Sequence, residues 1–392
     1  MGSVMRFDPK LEQFATEKQW KYYVTTREVG SAVKAAKVFG VNDSVVRRSN
    51  TALFKKAAMR GYAPSEDMLH TVPAGYTVKG VSTYYNAEGN PSGQWVKSTQ
   101  DKESQVTAML EWVESIAETI KPLRPTNPPT STKDDTLTIY PLGDPHVGMY
   151  AHAAEAGEDF DVKIARQDLV NAMSYLVKSA PASHECIVLN VGDFFHADDP
   201  TNLTPKGGNQ LDVDGRWHKV LELGFFLMID LVSLALKKHA LVRVRSTPGN
   251  HDPKSTIPLT LFTKAWFKDE PRVIVEDSTK VHQYHSFGKC LFGFTHGDKV
   301  KKPKEMGALM AVDCADDWSA SKHRYWLHGH YHSKKVEEVM GCVIEGFRNL
   351  APNDAWHQGS GYRSGRDMTA ITYHADYGEI VRNTCDISRI KK

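Results

Sequence analysis

Seven side chains, each placed where a short apolar run gives out, have the types and spacing to hold divalent cations: Asp144, His146, Asp193, Asn250, His296, His330 and His332. The runs read L-T-I-Y-P-L-G-D-P-H-V-G (137–148), C-I-V-L-N-V-G-D-F-F-H (186–196), A-L-V-R-V-R-S-T-P-G-N-H-D (240–252), K-C-L-F-G-F-T-H-G-D (289–298) and R-Y-W-L-H-G-H-Y-H (324–332). In extended backbone, residues two apart face the same side, so each D-x-H or H-x-H pair can serve one site. Carboxylate, imidazole and amide donors together suit borderline divalent metals such as manganese, iron or zinc better than calcium. This is more donors than one ion needs. Two ions about 3.5–4 Å apart, sharing a carboxylate, would use the whole set, and such a pair is a recurrent device for phosphoester hydrolysis.

Those donors can meet only if the runs are aligned strands. Helical stretches separate them, notably residues 216–239, whose length suits an amphipathic cover for a sheet with a dimer surface as a second use. Alternation of this kind predicts an α/β core, in which functional groups gather at the carboxyl ends of the strands. Upstream the character differs. Residues 12–60 read as helical with a break at G-V-N-D-S, and residues 76–98 read as a hairpin around a Gly/Asn/Pro turn. Val106, Leu110, Val113, Ile116 and Ile120 recur at helical spacing. Four prolines in 121–135 cannot continue a helix and mark a linker. The expected organisation is a helical module (1–65), a hairpin-and-helix connector (66–120), the linker (121–135) and a catalytic domain (136–392).

Composition is that of a globular chain, 392 residues with 41% hydrophobic and 24% charged. The formal net charge of +2 averages unlike regions, because residues 1–64 carry twelve Lys and Arg against five Asp and Glu. Five scattered cysteines without a C-x-x-C pair point to a reducing compartment and exclude a disulfide framework or a thiolate zinc site. The amino-terminal residues lack the apolar core of a signal peptide, and no run approaches a membrane span, so a cytoplasmic location in a bacterial or phage-infected cell is expected.

Taken in order, G-D-P-H, G-D-F-F-H, G-N-H-D, T-H-G-D and G-H-Y-H resemble the motif series of the calcineurin-like metallophosphoesterases. The resemblance implies an αββα sandwich preceded by the helical module. It places Asp144, His146 and His332 on one metal, Asn250, His296 and His330 on the other, and Asp193 between them. The metals would be two divalent ions, manganese first, with iron, zinc or magnesium as alternatives. A water held between them would be the nucleophile. His251 matches the family histidine that protonates the leaving oxygen, with Asp252 available to orient its ring. G-D-F-F-H is similar to the nuclease subunit of double-strand-break repair complexes rather than to protein phosphatases, which continue that motif with Asp-Arg. By that likeness His196 contacts a phosphate or strand end, and DNA is the leading substrate. Those nucleases carry a capping domain after the last motif, whereas 60 residues follow His332 here and 368–381 reads as a closing hairpin. The alternatives are a phosphomonoesterase, a cyclic-nucleotide phosphodiesterase, or a DNA-binding regulator with a vestigial hydrolase.

Residues 31–50 resemble a helix-turn-helix, an arrangement similar to some phage and prophage proteins. Ala32, Ala35 and Ala36 permit close helix packing, Gly40 supplies the turn, Asn42, Asp43 or Ser44 can cap, and Val41, Val45 and Val46 anchor the second helix. Arg47, Arg48, Lys55, Lys56 and Arg60 are then available to phosphates, as are Lys299, Lys301 and Lys302 beside the metal ligands. A plain three-helix oligomerisation module is the bland alternative. His152, His218, His328 and His357 are expected to pack or hydrogen-bond locally, and Asp198 and Asp199 to lie in a solvated loop.

Overall fold

The computed structural model describes residues 7–64, 68, 71–72, 76–87, 91–100, 122–300, 302–353, 359, 361 and 363–391. The helical reading of 104–120, Lys301 and His357 lie outside them. The chain divides into two compact units, Met1–Met109 and Leu110–Lys392. Among the described residues no helix is long and apolar enough to cross a membrane.

In the first unit, α1 (Glu17–Glu28) begins with a reciprocal cap between Thr16 and Gln19. A tight turn joins α2 (Ala32–Phe39) to α3 (Asp43–Met59). Gly40 closes α2 at φ 65°, a left-handed conformation that a side chain would disfavour. Asn42 then accepts the Ser44 N–H to start α3. Tyr22, Ala35, Ala36 and Val46 form one small core, and Leu11, Phe14, Tyr23, Leu53, Ala57 and Tyr62 a second. Strands β1 (Tyr76–Tyr85) and β2 (Pro91–Gln100) pair antiparallel.

The second unit is a four-layer αββα sandwich. One sheet has the order β13-β12-β3-β4-β5-β6, built from β3 (Lys133–Leu142), β4 (Ser183–Asn190), β5 (Leu241–Ser246), β6 (Val273–Val275), β12 (Asp367–His374) and β13 (Gly378–Asp386). The other has the order β10-β11-β9-β8-β7, built from β7 (Gln283–Phe287), β8 (Cys290–Phe294), β9 (His323–His328), β10 (Lys335–Val339) and β11 (Cys342–Gly346). Leu137, Ile139, Ile187 and Leu189 from the first sheet meet Phe292, Phe294 and Leu327 from the second, all buried between the layers. Each such side chain withdrawn from water contributes about 1.5–3 kcal/mol. Outside, α4 (Val162–Ser179), α5 (Trp217–Leu236) and α6 (Thr256–Trp266) cover the six-stranded sheet, and α7 (Pro303–Asp313) covers the other.

One expectation holds and one changes. Helix α5 turns Val220, Leu221, Phe225, Met228 and Val232 inward and leaves Lys219, Glu222 and Phe226 exposed, so it is an amphipathic cover with a wide apolar face. The proline-rich segment is extended but pinned: Leu123 donates to the Trp266 carbonyl (3.0 Å), and Thr126 bonds to Glu270 through its N–H (2.7 Å) and hydroxyl (2.6 Å). It behaves as a strap along α6 rather than a free linker.

Candidate metal centre

β3, β4 and β5 run parallel to one another, as do β8 and β9, so the five polar termini emerge as loops at carboxyl ends of strands. Backbone conformation at those loops is unusual. Asp144 (φ 39°), His146 (46°), Asp193 (50°), His330 (72°) and His332 (49°) all adopt left-handed backbone without being glycine. Such residues cost about 1–3 kcal/mol each and concentrate at functional sites. Part of the offset is local: both carboxylate oxygens of Asp144 accept the His330 N–H, at 3.0 Å each, and Asp193 accepts the His251 N–H at 2.7 Å. Glycines leave room for this approach. A Cβ on Gly249 would sit 2.1 Å from an Asp193 carboxylate oxygen, and one on Gly329 would sit 2.5 Å from Asp144.

The expected ligands fall into two groups. Asp144, His146 and His332 offer donor atoms within 4.8 Å of one another, and so do Asp193, His296 and His330. In the first, the Nε2 atoms of His146 and His332 face each other at 3.1 Å. In the second, His296 Nε2 lies 3.1 Å from Asp193 and 2.9 Å from the Asn250 amide oxygen, which adds Asn250 to that group. His296 Nδ1 is 3.0 Å from the Val191 carbonyl and donates its proton there, so Nε2 is the atom a metal would take in place of a proton. The Nδ1 atom also lies 3.5 Å from Asp144, which links the groups. Each group takes donors from both sheets.

Electrostatics make the same point. Burial pushes the Asp144 carboxyl up to about 8, although the His296 charge pulls it back. Burial also opposes ionisation of Asp193, but the charge and hydrogen bond of His296 outweigh it and hold that carboxyl well below the usual carboxylate range. Burial depresses His296, yet Asp193 and Asp144 overcome it and push the imidazole up to about 10. His330 is lowered by burial and by its neighbour His296. Buried carboxylates here attract positive charge, and imidazole nitrogens converge on the same points. That donor set fits one divalent cation in each group.

His251 Nδ1 is 2.9 Å from the His196 carbonyl, which leaves Nε2 as the atom for chemistry. Asp252 does not orient that ring. It is fully buried and accepts three backbone N–H groups, from Asp193 (3.1 Å), Phe195 (3.1 Å) and Gly249 (3.2 Å), so it fixes two ligand loops. Burial first, then Asp193, pushes its carboxyl up to about 7. His196 is buried at the same centre: its Nδ1 lies 3.2 Å from that of His146 and its ring stacks on His251 at 5.2 Å. It therefore positions both rings. Asp198 is buried rather than solvated, and accepts the N–H groups of Lys254 (3.0 Å) and Ser255 (2.9 Å) ahead of α6. His328 is buried as expected, bonded to the Gly329 carbonyl at 2.9 Å.

The basic residues divide. Arg47, Arg48, Lys55 and Lys56 are exposed, Arg47 pairing with Asp43 at 3.0 Å. Arg60 is instead committed to the carbonyls of Val72 (3.3 Å) and Tyr76 (3.2 Å), and is corrected to a structural residue. Lys299 pairs with Asp298, and Lys302 lies 3.8 Å from Glu305.

Sequence reasoning missed the cavity beside the centre, about 520 Å³, lined by His330, Tyr331 and His332 together with Asn349, Asn353, Arg363 and Arg366. Spacing within G-H-Y-H was the only signal for Tyr331.

No protein-family model matches the sequence, and none of the curated proteins does. Solved structures with a similar fold include a dimetal phosphatase from Danio rerio (8% identity, 65% of this chain and 100% of that one, TM-score 0.34). Others are an archaeal phosphodiesterase (14%, 62% and 99%, TM-score 0.31) and a predicted phosphoesterase from Streptococcus pneumoniae (10%, 64% and 98%, TM-score 0.26). The four-layer architecture follows from the strand pairing and does not depend on these likenesses.

Proposed function

We propose that the chain is a metal-dependent phosphodiesterase of the calcineurin-like kind, with DNA as its substrate. The observation that carries this reading is the grouping of Asp144, His146 and His332, and of Asp193, His296 and His330, each within 4.8 Å. Asp144, His146 and His332 would hold one divalent cation, Asn250, His296 and His330 the other, with Asp193 between. When bound, such ions act as Lewis acids on phosphoryl oxygens and acidify water. The chain's own part is to orient and to move protons. Val191 and His196 fix the ring nitrogens of His296 and His251. With Nδ1–H donated to a carbonyl, His251 presents Nε2 to the site; when the ring is doubly protonated, Nε2–H is the proton it can pass to a leaving oxygen, which returns the ring to its neutral Nδ1–H form. His196 keeps the His146 ring in register through Nδ1.

DNA is favoured by the G-D-F-F-H motif and by exposed basic residues of α3, Arg47 and Arg48 near the Gly40 turn and Lys55 and Lys56 toward its carboxyl end. The decisive experiment measures bound metal by elemental analysis, then Mn²⁺-dependent digestion of end-labelled single- and double-stranded DNA by the full chain. Cleavage lost in His330→Ala is the expected result. Two bound cations with DNA left intact, while small phosphate esters are hydrolysed, would sink the DNA assignment and leave the hydrolase.

A further inference from the structure

We infer that Tyr331 stacks on the nucleobase adjoining the scissile phosphate, and that the cavity it lines is a single-nucleotide subsite. This rests on the phosphodiesterase reading above and adds to it. Tyr331 stands between two expected ligands, His330 and His332, both in left-handed backbone (φ 72° and 49°). The ring packs edge-on against His330 (4.9 Å between centroids, 65°) and His328 (6.0 Å, 87°). Those contacts fix its position, yet the residue stays 53% exposed. Here a flat apolar surface stays open beside the atoms that would grip a phosphate.

The rest of the wall has matching chemistry. Side-chain amides of Asn349 and Asn353 both donate and accept, as the edge of a base requires. Arg363 stands on the same wall as Arg366, whose charge is paired with Glu158 of that wall. Arg366 is held rigid by Glu158 (2.6 Å) and the Leu350 carbonyl (2.7 Å). A volume of about 520 Å³ lies within the range of pockets that hold one small organic ligand, which fits one nucleotide and excludes a duplex. A base entering it must leave the helical stack, so single-stranded or frayed ends are the natural substrates.

The test is calorimetric binding of thymidine 5′-monophosphate and of inorganic phosphate to the full, Mn²⁺-loaded chain. In the wild type the nucleotide binds more tightly than phosphate. Tyr331→Ala lowers the nucleotide-to-phosphate affinity ratio by about tenfold, while Tyr331→Phe and Tyr331→Trp retain it. A ratio unchanged in Tyr331→Ala, or one lost equally in Tyr331→Phe, overturns the stacking role. Phosphate bound without preference for the nucleotide removes the subsite and spares the hydrolase. Neither compound bound removes both.

Discussion

In Leu110–Lys392 the decisive charges lie out of water: Asp144 is fully buried, and its carboxylate meets the His330 N–H at 3.0 Å and the imidazoles of His296 and His332 at 3.5 and 3.9 Å. In Met1–Met109 the decisive charges stay in it, with the Arg47 side chain 61% exposed and held only by a neighbour one turn away. The first arrangement is costly to build and gives geometry. The second is cheap and gives attraction, because exposed pairs contribute little to stability and are screened by salt. Chemistry at phosphorus needs the former, and capture of a polyanion needs only the latter.

The strongest way to break this comparison is Asp193→Asn. Hydrolysis should fall by about a thousandfold, and elemental analysis should find fewer than two cations per chain. Activity within tenfold of wild type, with both cations retained, would show that the Asp193 charge is dispensable.

His239 probes the same low-dielectric interior without touching a ligand. Its ring is buried between the Tyr140 hydroxyl (2.8 Å) and Ser183 (2.9 Å), and burial lowers its pKa to about 4. The unfolded chain takes up a proton near 6.5, whereas the folded one resists until about 4. Stability is therefore complete above pH 6.5 and declines as pH falls through that window, by about 3 kcal/mol for this group. Urea midpoints measured from pH 7 to 4 should fall less steeply in His239→Gln; parallel curves would show that the buried imidazole does not set the slope.

Gly249→Ala tests whether loop geometry or charge limits the centre. The added methyl group meets Asp193 oxygen and nitrogen at 2.1 and 2.2 Å, so a loss of about 2 kcal/mol in unfolding free energy is expected, together with weaker cation binding. Wild-type stability and metal content would mean that the loop has slack. The smallest effect belongs to the other unit. Replacing Arg47 and Arg48 with glutamine should leave stability within about 0.5 kcal/mol. The same change should lower the salt dependence of DNA binding by about two phosphate contacts, read from a log–log plot of affinity against salt. An unaltered slope would remove α3 from the DNA interface.

Much of the second unit was legible because an apolar run that ends in Asp, Asn or His marks both a strand and the loop in which its polar side chains gather. Asp144, Asp193, Asn250 and His330 could be placed from the runs before them. What lay hidden was set by backbone hydrogen bonds between distant loops. Spacing put Asp252 next to His251, but three N–H groups brought in from the Asp193 and Gly249 loops decide where its oxygens point. Asp198 was misjudged for a related reason, since local charge says nothing about whether another loop folds over it. The left-handed backbone went unread as well, although Asp and His are among the few side chains that adopt it readily, because nothing local says which Asp or His will do so.

Each proposed cation would take donors from both sheets: His332 opposite Asp144 and His146, and His296 with His330 opposite Asp193 and Asn250. Metal would then act as a pair of rivets through the layers, adding to the apolar contact and the few polar links, such as Arg382 to Glu345 (2.6 Å) and Gln283 to the Ser246 carbonyl (2.8 Å), that already join the two slabs. Affinity for the ion and cohesion of the sandwich become one linked quantity. On chelation the slabs should loosen first at the rim where the five loops gather, ahead of any fraying of their strands.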